Sequence, residues 1–310
     1  GGFVGRHLVA RLQSDGHRVR GVVHRPAGSD PAGLDAWVPV GLPDVEPLQP
    51  VLSGVDVVVH LAARAHLVRD RSADPAAAFQ AVNTEGTLRL ARLAAMAGVR
   101  RFVFTSTVKV LGDGTAPGQP WHLDSPMDPQ DPYARSKADA ESGLRQLQAE
   151  TGMEVVVVRL PLVHGPGVRG NFPALVRWVE AGVPLPLGAV RANRRSVLGV
   201  DNLVDLLALC LDHPAACLHP WMPTDGTDVS TAGLLQAVGL ALGRPARLWP
   251  LPPACLRVAA QLVGRPGVFQ NLCGSMQVDG SDVHKHLHWT PPVGLDEGLR
   301  RAVAHLEVLP

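Results

Sequence analysis

Tyrosine is almost absent from this chain, which has one tyrosine, six phenylalanines and six tryptophans in 310 residues. Long apolar runs are missing too, since none approaches the roughly 18 uninterrupted apolar residues of a transmembrane helix. The four cysteines are widely spaced, with no Cys-x-x-Cys pair. That spacing fits reduced thiols in a cytosolic protein better than a disulfide framework or a zinc site. The sequence therefore predicts a cytoplasmic protein with no membrane span and no bound metal.

An excess of charge of either sign is also lacking, because 29 Lys and Arg balance 28 Asp and Glu and leave a net charge of +1. Such a balance gives no reason to expect a nucleic-acid partner. An anionic substrate must then be held by local arginines. The most apolar late region, residues 251–263, is interrupted by prolines and Arg257. We interpret it as a buried or interface helix, with membrane contact as the lesser alternative.

Short valine-rich runs alternate with helical patterns through the first half of the chain. Nearly continuous apolar strands that alternate with helices are typical of a parallel sheet covered on both faces. The sequence thus predicts an α/β fold with a doubly wound (Rossmann) parallel sheet. Strands are predicted at 19–24, 55–61, 101–106 and 154–159, and helices at 5–15, 74–98, 132–151 and 201–211.

After residue 161 prolines and glycines become frequent and strand–helix units become fewer. We therefore expect a dinucleotide-binding domain over 1–161 and a smaller substrate-binding region over 162–310, with 196–212 packing back on the first domain. Residues 112–130 are predicted to form a loop over the site. The chain begins without methionine inside a glycine motif, so we expect a truncated start that lacks the first strand.

The single tyrosine is followed four residues later by a lysine, as Tyr133 and Lys137. Asp131 can cap a helix and Pro132 suits its first position, so one helix face is expected to carry both side chains. A nearby ammonium favours the phenolate, which predicts a pKa for Tyr133 below its usual value of about 10. Such a tyrosine can exchange a proton with a hydroxyl or carbonyl. Taken alone, the pair is more often a surface contact.

The first five residues, Gly1-Gly2-Phe3-Val4-Gly5, precede a helical pattern and look like the end of a glycine-rich dinucleotide loop. In such a loop the phosphates lie at the helix N-terminus. Gly2 would let the backbone approach a pyrophosphate, and Gly5 would allow the helix to pack closely on a strand. Taken alone, two glycines at a helix start often form only a turn.

Three further positions bear on the binding of a dinucleotide cofactor. In a dinucleotide-binding fold, the second strand usually ends in an acid that binds the adenosine ribose. This chain has Arg25 there instead, which could pair with the 2′-phosphate of NADP. NADP is therefore favoured over NAD, unless the Arg25 side chain is simply solvated. The small residues of Leu61-Ala62-Ala63 would let a cofactor pass close to the sheet. Asn83 is a polar residue inside a predicted helix, where it could hold backbone or water near the site, or face solvent.

The next predicted strand ends in Ser106 and Thr107, and carboxyl ends of strands face the ligand crevice in such sheets. The order of these motifs resembles the extended short-chain dehydrogenase/reductase family. More narrowly, it resembles the NAD-dependent epimerase/dehydratase group that acts on nucleotide sugars, over essentially the whole chain. Residues 159–167 resemble the family's Arg-x-x-x-x-Tyr-Gly-Pro-Gly, with His164 in the tyrosine position. Residues 287–292 resemble its closing Leu-Gly-Trp-x-Pro, with His288 in place of glycine.

The resemblance implies roles for individual residues. Thr107 takes the place of the catalytic Ser/Thr, Tyr133 becomes the acid/base, and Lys137 holds the nicotinamide ribose of NAD or NADP. It implies a homodimer and a UDP-sugar substrate, whose diphosphate Arg195 grips. The implied cofactor contacts are Gly2, Phe3, Val4, Gly5, Arg25, Leu61, Ala62, Ala63, Asn83, Ser106, Tyr133, Lys137 and Pro161. The implied substrate contacts are Thr107, Lys109, Tyr133, Asn171, Phe172 and Arg195.

The resemblance leaves more than one reaction open. A 4,6-dehydratase needs an acid pair directly after the catalytic threonine, and Val108-Lys109 stands there instead. The epimerase and the 4-ketoreductase both remain, and we favour an epimerase acting at C4 of a UDP-hexose or UDP-N-acetylhexosamine. A non-catalytic dinucleotide-binding protein is the third hypothesis, which the presence of both Tyr133 and Lys137 disfavours.

Overall fold

A computed structural model describes residues 2–23, 36–39, 42, 44–65, 74–168, 170–264 and 266–307 of the chain. It divides into two compact units. The first comprises Gly1–Gly112, Pro126–Leu160 and Val204–Trp221, and the second comprises Asp113–Ser125, Pro161–Leu203 and Met222–Pro310. The chain passes from one unit to the other at Leu160–Pro161, close to the expected boundary, but segments 113–125 and 204–221 lie across that boundary.

The helices and strands are numbered in chain order. The first half contains α1 (Phe3–Ser14), β1 (Arg20–Val23), β2 (Ala36–Pro39), α2 (Gln49–Leu52), β3 (Val57–His60), α3 (Pro75–Phe79), α4 (Gly86–Met96), β4 (Arg101–Thr107), α5 (Pro132–Thr151) and β5 (Glu154–Leu160). The remainder contains β6 (Leu162–His164), α6 (Asn171–Glu180), β7 (Val197–Gly199), α7 (Val200–Leu209), β8 (Pro220–Trp221), α8 (Thr231–Ala241), α9 (Pro253–Leu262), α10 (Pro266–Cys273), α11 (Ser281–Leu287) and α12 (Leu295–Glu307).

The strands of the first unit pair in parallel, in the orders β1-β2 and β3-β4-β5-β8. Residues of β4 are buried along its full length, as expected of a central strand covered on both faces. The predicted parallel α/β fold is thus confirmed. Sequence patterns did not indicate β2, β6, β7 or β8. The last three have only two or three residues, which is too short to display a period.

Helix α5 begins and ends where the sequence predicts. The Asp131 carboxylate accepts a hydrogen bond from the Ala134 backbone N–H at 2.7 Å, and Pro132 is the first helical residue. Gly152 follows the last turn in the left-handed conformation, with φ of 75°. The N-terminal cap places Tyr133 in the first turn of α5 and Lys137 in the second turn.

The predicted single helix over 74–98 is divided into three segments. Asp74 caps α3, accepting from the Ala77 N–H at 3.0 Å, and a π-helical turn over Gln80–Glu85 then leads into α4. Asn83 and Thr84 in this turn are buried, and the Thr84 hydroxyl donates to the Ser136 carbonyl at 2.7 Å. The π turn therefore presents two consecutive polar side chains toward α5.

A buried ion pair fastens α5 to the sheet. The Arg159 guanidinium of β5 donates to the Glu141 carboxylate of α5 at 2.8 and 3.2 Å, and both side chains are almost fully buried. The Ser106 hydroxyl of β4 donates to the same carboxylate at 2.5 Å. One carboxylate therefore joins α5 to two neighbouring strands, and the sequence reading had not singled it out.

The second unit has its own apolar core, drawn chiefly from α6, α8 and α12. Its strands β6 and β7 pair in parallel. The region over 251–263 was predicted as a buried or interface helix, but α9 contributes no buried residue, so the expectation of burial is wrong. Within the described residues, no helix is both long and apolar enough to cross a membrane.

We predict that Glu141→Ala lowers the free energy of unfolding by about 3–5 kcal/mol, because it leaves the Arg159 guanidinium buried without its carboxylate. Urea unfolding measures this change. Glu150→Ala is the matched control, since Glu150 lies on the same helix and makes only an exposed contact with Gln146, and we expect a change within about 0.5 kcal/mol. Equal losses in the two variants would contradict a stabilising role for the buried pair.

Candidate active site

Tyr133 lies in the first turn of α5, with its ring 6.0 Å from the ring of Phe79. Burial of the phenol, followed by the negative charge of Asp131, raises the pKa of Tyr133 to about 12. The sequence predicted a lowered pKa, and that prediction is wrong for the protein alone. The phenol is therefore protonated across the neutral range and suited to donate its proton.

Lys137 shares the expected helix face but is only 2% exposed. Its ammonium lies 4.1 Å from the centre of the Phe104 ring, on β4. Burial lowers the pKa of Lys137 to about 7, with the charge of Glu141 acting in the opposite direction. Burial of both groups, rather than their helical spacing, dominates these two pKa values, which explains why the sequence expectation failed.

Thr107, the last residue of β4, is joined to the start of α5 through its neighbours. Its hydroxyl accepts a hydrogen bond from the Lys109 backbone N–H at 3.3 Å. The Lys109 ammonium in turn donates to Asp131 at 2.6 Å, while the other oxygen of that carboxylate caps α5. The loop after Thr107 is thus pinned beside the turn that carries Tyr133. A substrate contact by Lys109 stays a prediction.

Ser106 and Asn83, both predicted to contact cofactor, have their polar atoms engaged with protein. The Ser106 hydroxyl is committed to Glu141. Asn83 accepts from the Arg64 N–H at 2.8 Å and donates to the Arg64 carbonyl and to the Ser136 hydroxyl, each at 3.0 Å. Asn83 therefore joins the loop after β3 to α5 by hydrogen bonds. The alternative that its side chain faces solvent is wrong.

The same cluster contains His60, whose ring stacks on Phe104. The Thr87 hydroxyl donates to the Asn83 carbonyl at 2.7 Å, so at His60 Nε2, 3.0 Å away, it acts as acceptor. Burial, and then the charge of Lys137, lower the pKa of His60 to about 3. The imidazole is neutral, packs on Phe104 and donates to the Thr87 hydroxyl.

The N-terminus of α1 fits a dinucleotide phosphate. Gly2 precedes a helix of 12 residues, no side chain caps it, and space around Gly2 is open within 4 Å. Phe3 and Val4 form the first turn. A Cβ on Gly5 would make an ordinary 3.9 Å contact with Leu61, so the described packing does not require glycine there, contrary to the sequence expectation.

Small side chains follow β3, as predicted for a cofactor passing near the sheet. Ala62 and Ala63 are exposed, and Leu61 is half-buried. Open backbone at α1 and methyl-sized side chains after β3 are what a dinucleotide needs, so the first unit fits NAD. Arg25, on which the preference for NADP depended, lies outside the described residues.

Three further predicted ligand contacts lie in the second unit. Phe172 is buried in the apolar core, and Asn171 begins α6, with a side chain outside the described set. Pro161, a predicted cofactor contact, is buried directly after β5. Contact of these three residues with ligand stays a prediction.

Arg195 is held in place at one end of its guanidinium. Nη1 donates to the carbonyls of Asn271 and Gly274 at 2.9 and 3.1 Å. Described residues offer no partner to Nε or Nη2, so these donors can still meet a phosphate. Burial lowers the pKa of Arg195, which remains a cation at neutral pH because guanidinium starts so high.

His164, the departure from the family tyrosine, is buried with Nε2 2.8 Å from Asp225 Oδ2. The other Asp225 oxygen accepts from the Gly199 N–H and from the Asn202 amide. Gly298 packs so tightly on the imidazole that a Cβ there would lie 2.9 Å from Cε1. The histidine thus acts as a bridge between β6, β7 and α12, and Asp225, its partner, carried no sequence signal.

Three comparisons with known proteins agree with this geometry. Residues 1–221 match the sequence profile of the NAD dependent epimerase/dehydratase family. A relative from Vibrio cholerae, described as a UDP-glucose 4-epimerase, is 39% identical over an aligned length of 308 residues, and the match covers 97% of this chain and 91% of that protein.

A relative from Escherichia coli O157:H7, described as N-acetyl-alpha-D-glucosaminyl-diphospho-ditrans,octacis-undecaprenol 4-epimerase, is 28% identical over an aligned length of 276 residues, and the match covers 84% of this chain and 81% of that protein. The crystal structure of UDP-glucose 4-epimerase from Thermus thermophilus in complex with NAD superposes with a TM-score of 0.78 at 26% identity, covering 100% of this chain and 97% of that chain.

We predict that the phenol of Tyr133 stays largely protonated at pH 10 in the protein without nucleotide, since its pKa lies near 12. Tyrosinate absorbance near 295 nm measures this directly, because the chain has one tyrosine. The control is the protein unfolded in guanidinium, whose tyrosine is about half ionised at pH 10. A folded-state midpoint at or below 10 would restore the interpretation made from the sequence.

Proposed function

Because the chain belongs to the NAD dependent epimerase/dehydratase family, we propose that it is a nucleotide-sugar 4-epimerase acting on a UDP-hexose or a UDP-N-acetylhexosamine. It is an NAD-dependent enzyme of the short-chain dehydrogenase/reductase type. The N-acetylglucosaminyl diphosphate in the name of the E. coli relative supports the N-acetylhexosamine form of the proposal. We further propose a cytoplasmic homodimer.

The observation that carries this proposal is the arrangement of Thr107, Tyr133 and Lys137 in the first unit. Thr107 ends a central strand, Tyr133 enters the adjoining helix, and the Lys109–Asp131 pair joins the two segments. Both the strand and the helix are anchored by Glu141. A hydroxyl and a phenol on rigid elements can therefore address one oxygen of a sugar.

NAD, when bound, supplies the acceptor and donor of the hydride that leaves and returns to sugar C4. Tyr133 removes the proton of the C4 hydroxyl in the first half-reaction and returns it in the second. Thr107 holds the same oxygen by a hydrogen bond. A Tyr133 pKa near 12 favours the half-reaction in which the phenol donates its proton to the sugar oxygen. Removal of the C4 hydroxyl proton therefore depends on a cationic neighbour that lowers the pKa of Tyr133 in the complex.

Lys137 is the protein group that can provide such a charge, because its pKa near 7 permits both protonation states at neutral pH. Arg195 holds the diphosphate through its Nε and Nη2 atoms, while Nη1 stays fixed on the end of α10. Planar guanidinium donors suit a diphosphate, and the near-zero net charge makes such a local cation necessary.

A 4-ketoreductase is the second candidate, and one sequence observation favours it. The segment that ends the first strand of this chain, Val22-Val23-His24-Arg25, contains no acid for an adenosine ribose. An exchangeable NADP(H) would suit a single reduction rather than a reversible cycle with retained cofactor. A non-catalytic dinucleotide-binding role is disfavoured by the presence of Tyr133 and Lys137.

We predict that the purified protein, incubated with UDP-glucose or UDP-N-acetylglucosamine and no added cofactor, forms the C4 epimer, detected by proton NMR. Retained NAD makes the cycle self-contained. Failure to form an epimer, together with NADPH oxidation in the presence of a UDP-4-keto-6-deoxy sugar, would replace the epimerase by the ketoreductase.

We predict that Tyr133→Phe lowers turnover by roughly 100-fold or more, because it removes the group that moves the C4 proton. Steady-state rates measure the loss, and bound NAD, assayed after denaturation, shows that the variant still holds cofactor. Unchanged turnover would remove the acid/base role from this residue.

We predict that Arg195→Ala mainly raises KM for the UDP-sugar, by roughly 10-fold or more, and changes kcat little, as expected for binding shared by ground and transition states. Arg194→Ala is the matched control, since the Arg194 side chain donates to the nearby carbonyls of Arg191 and Asn193. A fall in kcat at normal KM would contradict the diphosphate role.

A further inference from the structure

Exposed apolar side chains are concentrated in one short part of the second unit. Of the thirteen large apolar side chains that are exposed in the described residues, six lie within 249–268. Isolated exposed apolar residues are ordinary, whereas a cluster marks an interaction surface. The six are Trp249, Leu251, Val258, Leu262, Val263 and Val268.

The cluster is built on α9 and α10, which pack against each other. Residues 253–264 and 266–273 are together called the α9–α10 hairpin. Residues of both helices line a groove of about 290 Å³ between them, including Leu256, Val263 and Phe269. On α9, Val258 and Leu262 are one turn apart and are 52% and 83% exposed. The helix therefore has apolar side chains both toward its partner helix and toward solvent.

The charge of this region departs from the balance of the chain. The 50 residues from 229 to 278 contain four arginines and neither Asp nor Glu. Arg257 lies on α9 between the exposed positions, one residue before Val258, and is itself exposed. A basic segment without acidic residues that presents apolar side chains complements a surface with anionic groups on the outside and apolar groups beneath them.

The segment is firmly attached to the core of its unit. Leu185 and Trp249 are joined by a backbone hydrogen bond of 2.8 Å, and the Trp249 carbonyl also accepts from the Gly188 N–H at 2.8 Å. The indole nevertheless remains 66% exposed. A tryptophan that is fixed by its backbone while its ring faces solvent is well suited to the interface between lipid headgroups and acyl chains.

We propose that the α9–α10 hairpin, with Trp249 at its base, docks the protein on the surface of an anionic lipid bilayer. The hairpin lies in the interface and does not span it, because α9 has ten residues and a span needs about 20. Val258, Leu262 and Val263 enter the boundary of the acyl region, and Arg257 meets the lipid phosphates. Arg195 donates to the carbonyls of Asn271 and Gly274 at the end of α10, so the docked element adjoins that arginine.

Flotation with vesicles tests this proposal. We expect the protein to float with vesicles of phosphatidylglycerol and phosphatidylethanolamine at low salt, and at least about tenfold less protein to float with phosphatidylcholine alone or in about 0.5 M salt. Emission of Trp249, obtained as the difference between the protein and its Trp249→Phe variant, is expected to shift to shorter wavelength on binding.

Leu262→Asp on α9 and Leu240→Asp on α8 form a matched pair, since these leucines are 83% and 81% exposed. We expect Leu262→Asp to abolish flotation and Leu240→Asp to retain it, with both variants unfolding like the parent in urea. Arg257→Glu, which reverses the charge without removing an apolar group, is expected to weaken flotation at least about tenfold.

Absence of flotation with the anionic vesicles would overturn the proposal, as would equal losses in the Leu262 and Leu240 variants. A dimer seen by light scattering that dissociates in Leu262→Asp, with no flotation of the parent, would show that a second copy covers the hairpin instead. None of these outcomes depends on epimerase activity, so the docking surface and the proposed function stand or fall separately.

Discussion

One buried carboxylate holds together the elements on which the chemistry depends. Glu141 receives the Arg159 guanidinium from β5 and the Ser106 hydroxyl from β4, and its charge also acts on Lys137 one turn earlier in α5. Without it, the first half of the helix that carries Tyr133 would lose its carboxylate contact with the sheet, although Gln148 near the other end still accepts from the Val155 N–H of β5 at 2.9 Å. Apolar contacts tolerate sliding, whereas charge-assisted hydrogen bonds fix direction and distance. The orientation of the phenol relative to Thr107 thus has a specific cause.

The sequence was sufficient where local rules determine structure. Asp131, Pro132 and Gly152 specified the limits of α5, and alternating valine-rich runs specified the parallel sheet. It failed where a property depends on surroundings that the sequence does not display. The helical spacing of Tyr133 and Lys137 predicted a lowered phenol pKa, but burial of both groups against Phe79 and Phe104 decides the outcome.

Interactions between residues far apart in the chain could not be predicted from the sequence either. Asp225 lies 61 residues from His164 and nothing near it in sequence indicates a buried partner. Glu141 could have been suspected, since it follows Lys137 by one helical turn, but its contact with Arg159 required the register of α5 on β5. Short strands such as β6 and β7 acquire their identity only by pairing with each other.

The π turn over Gln80–Glu85 has a consequence for the variation that this protein can tolerate. A residue added to a regular α-helix rotates everything beyond it by about 100°, whereas a π turn holds the added residue and leaves the flanking segments on their original faces. Removing one residue here would restore regular α-helical winding and leave α4 facing its apolar contacts, but it would move Asn83 and Thr84 away from Ser136. A single-residue deletion would thus keep both flanking helices and remove the polar contacts between this turn and α5. The length of this segment therefore determines whether Asn83 and Thr84 reach α5, and not how α4 packs.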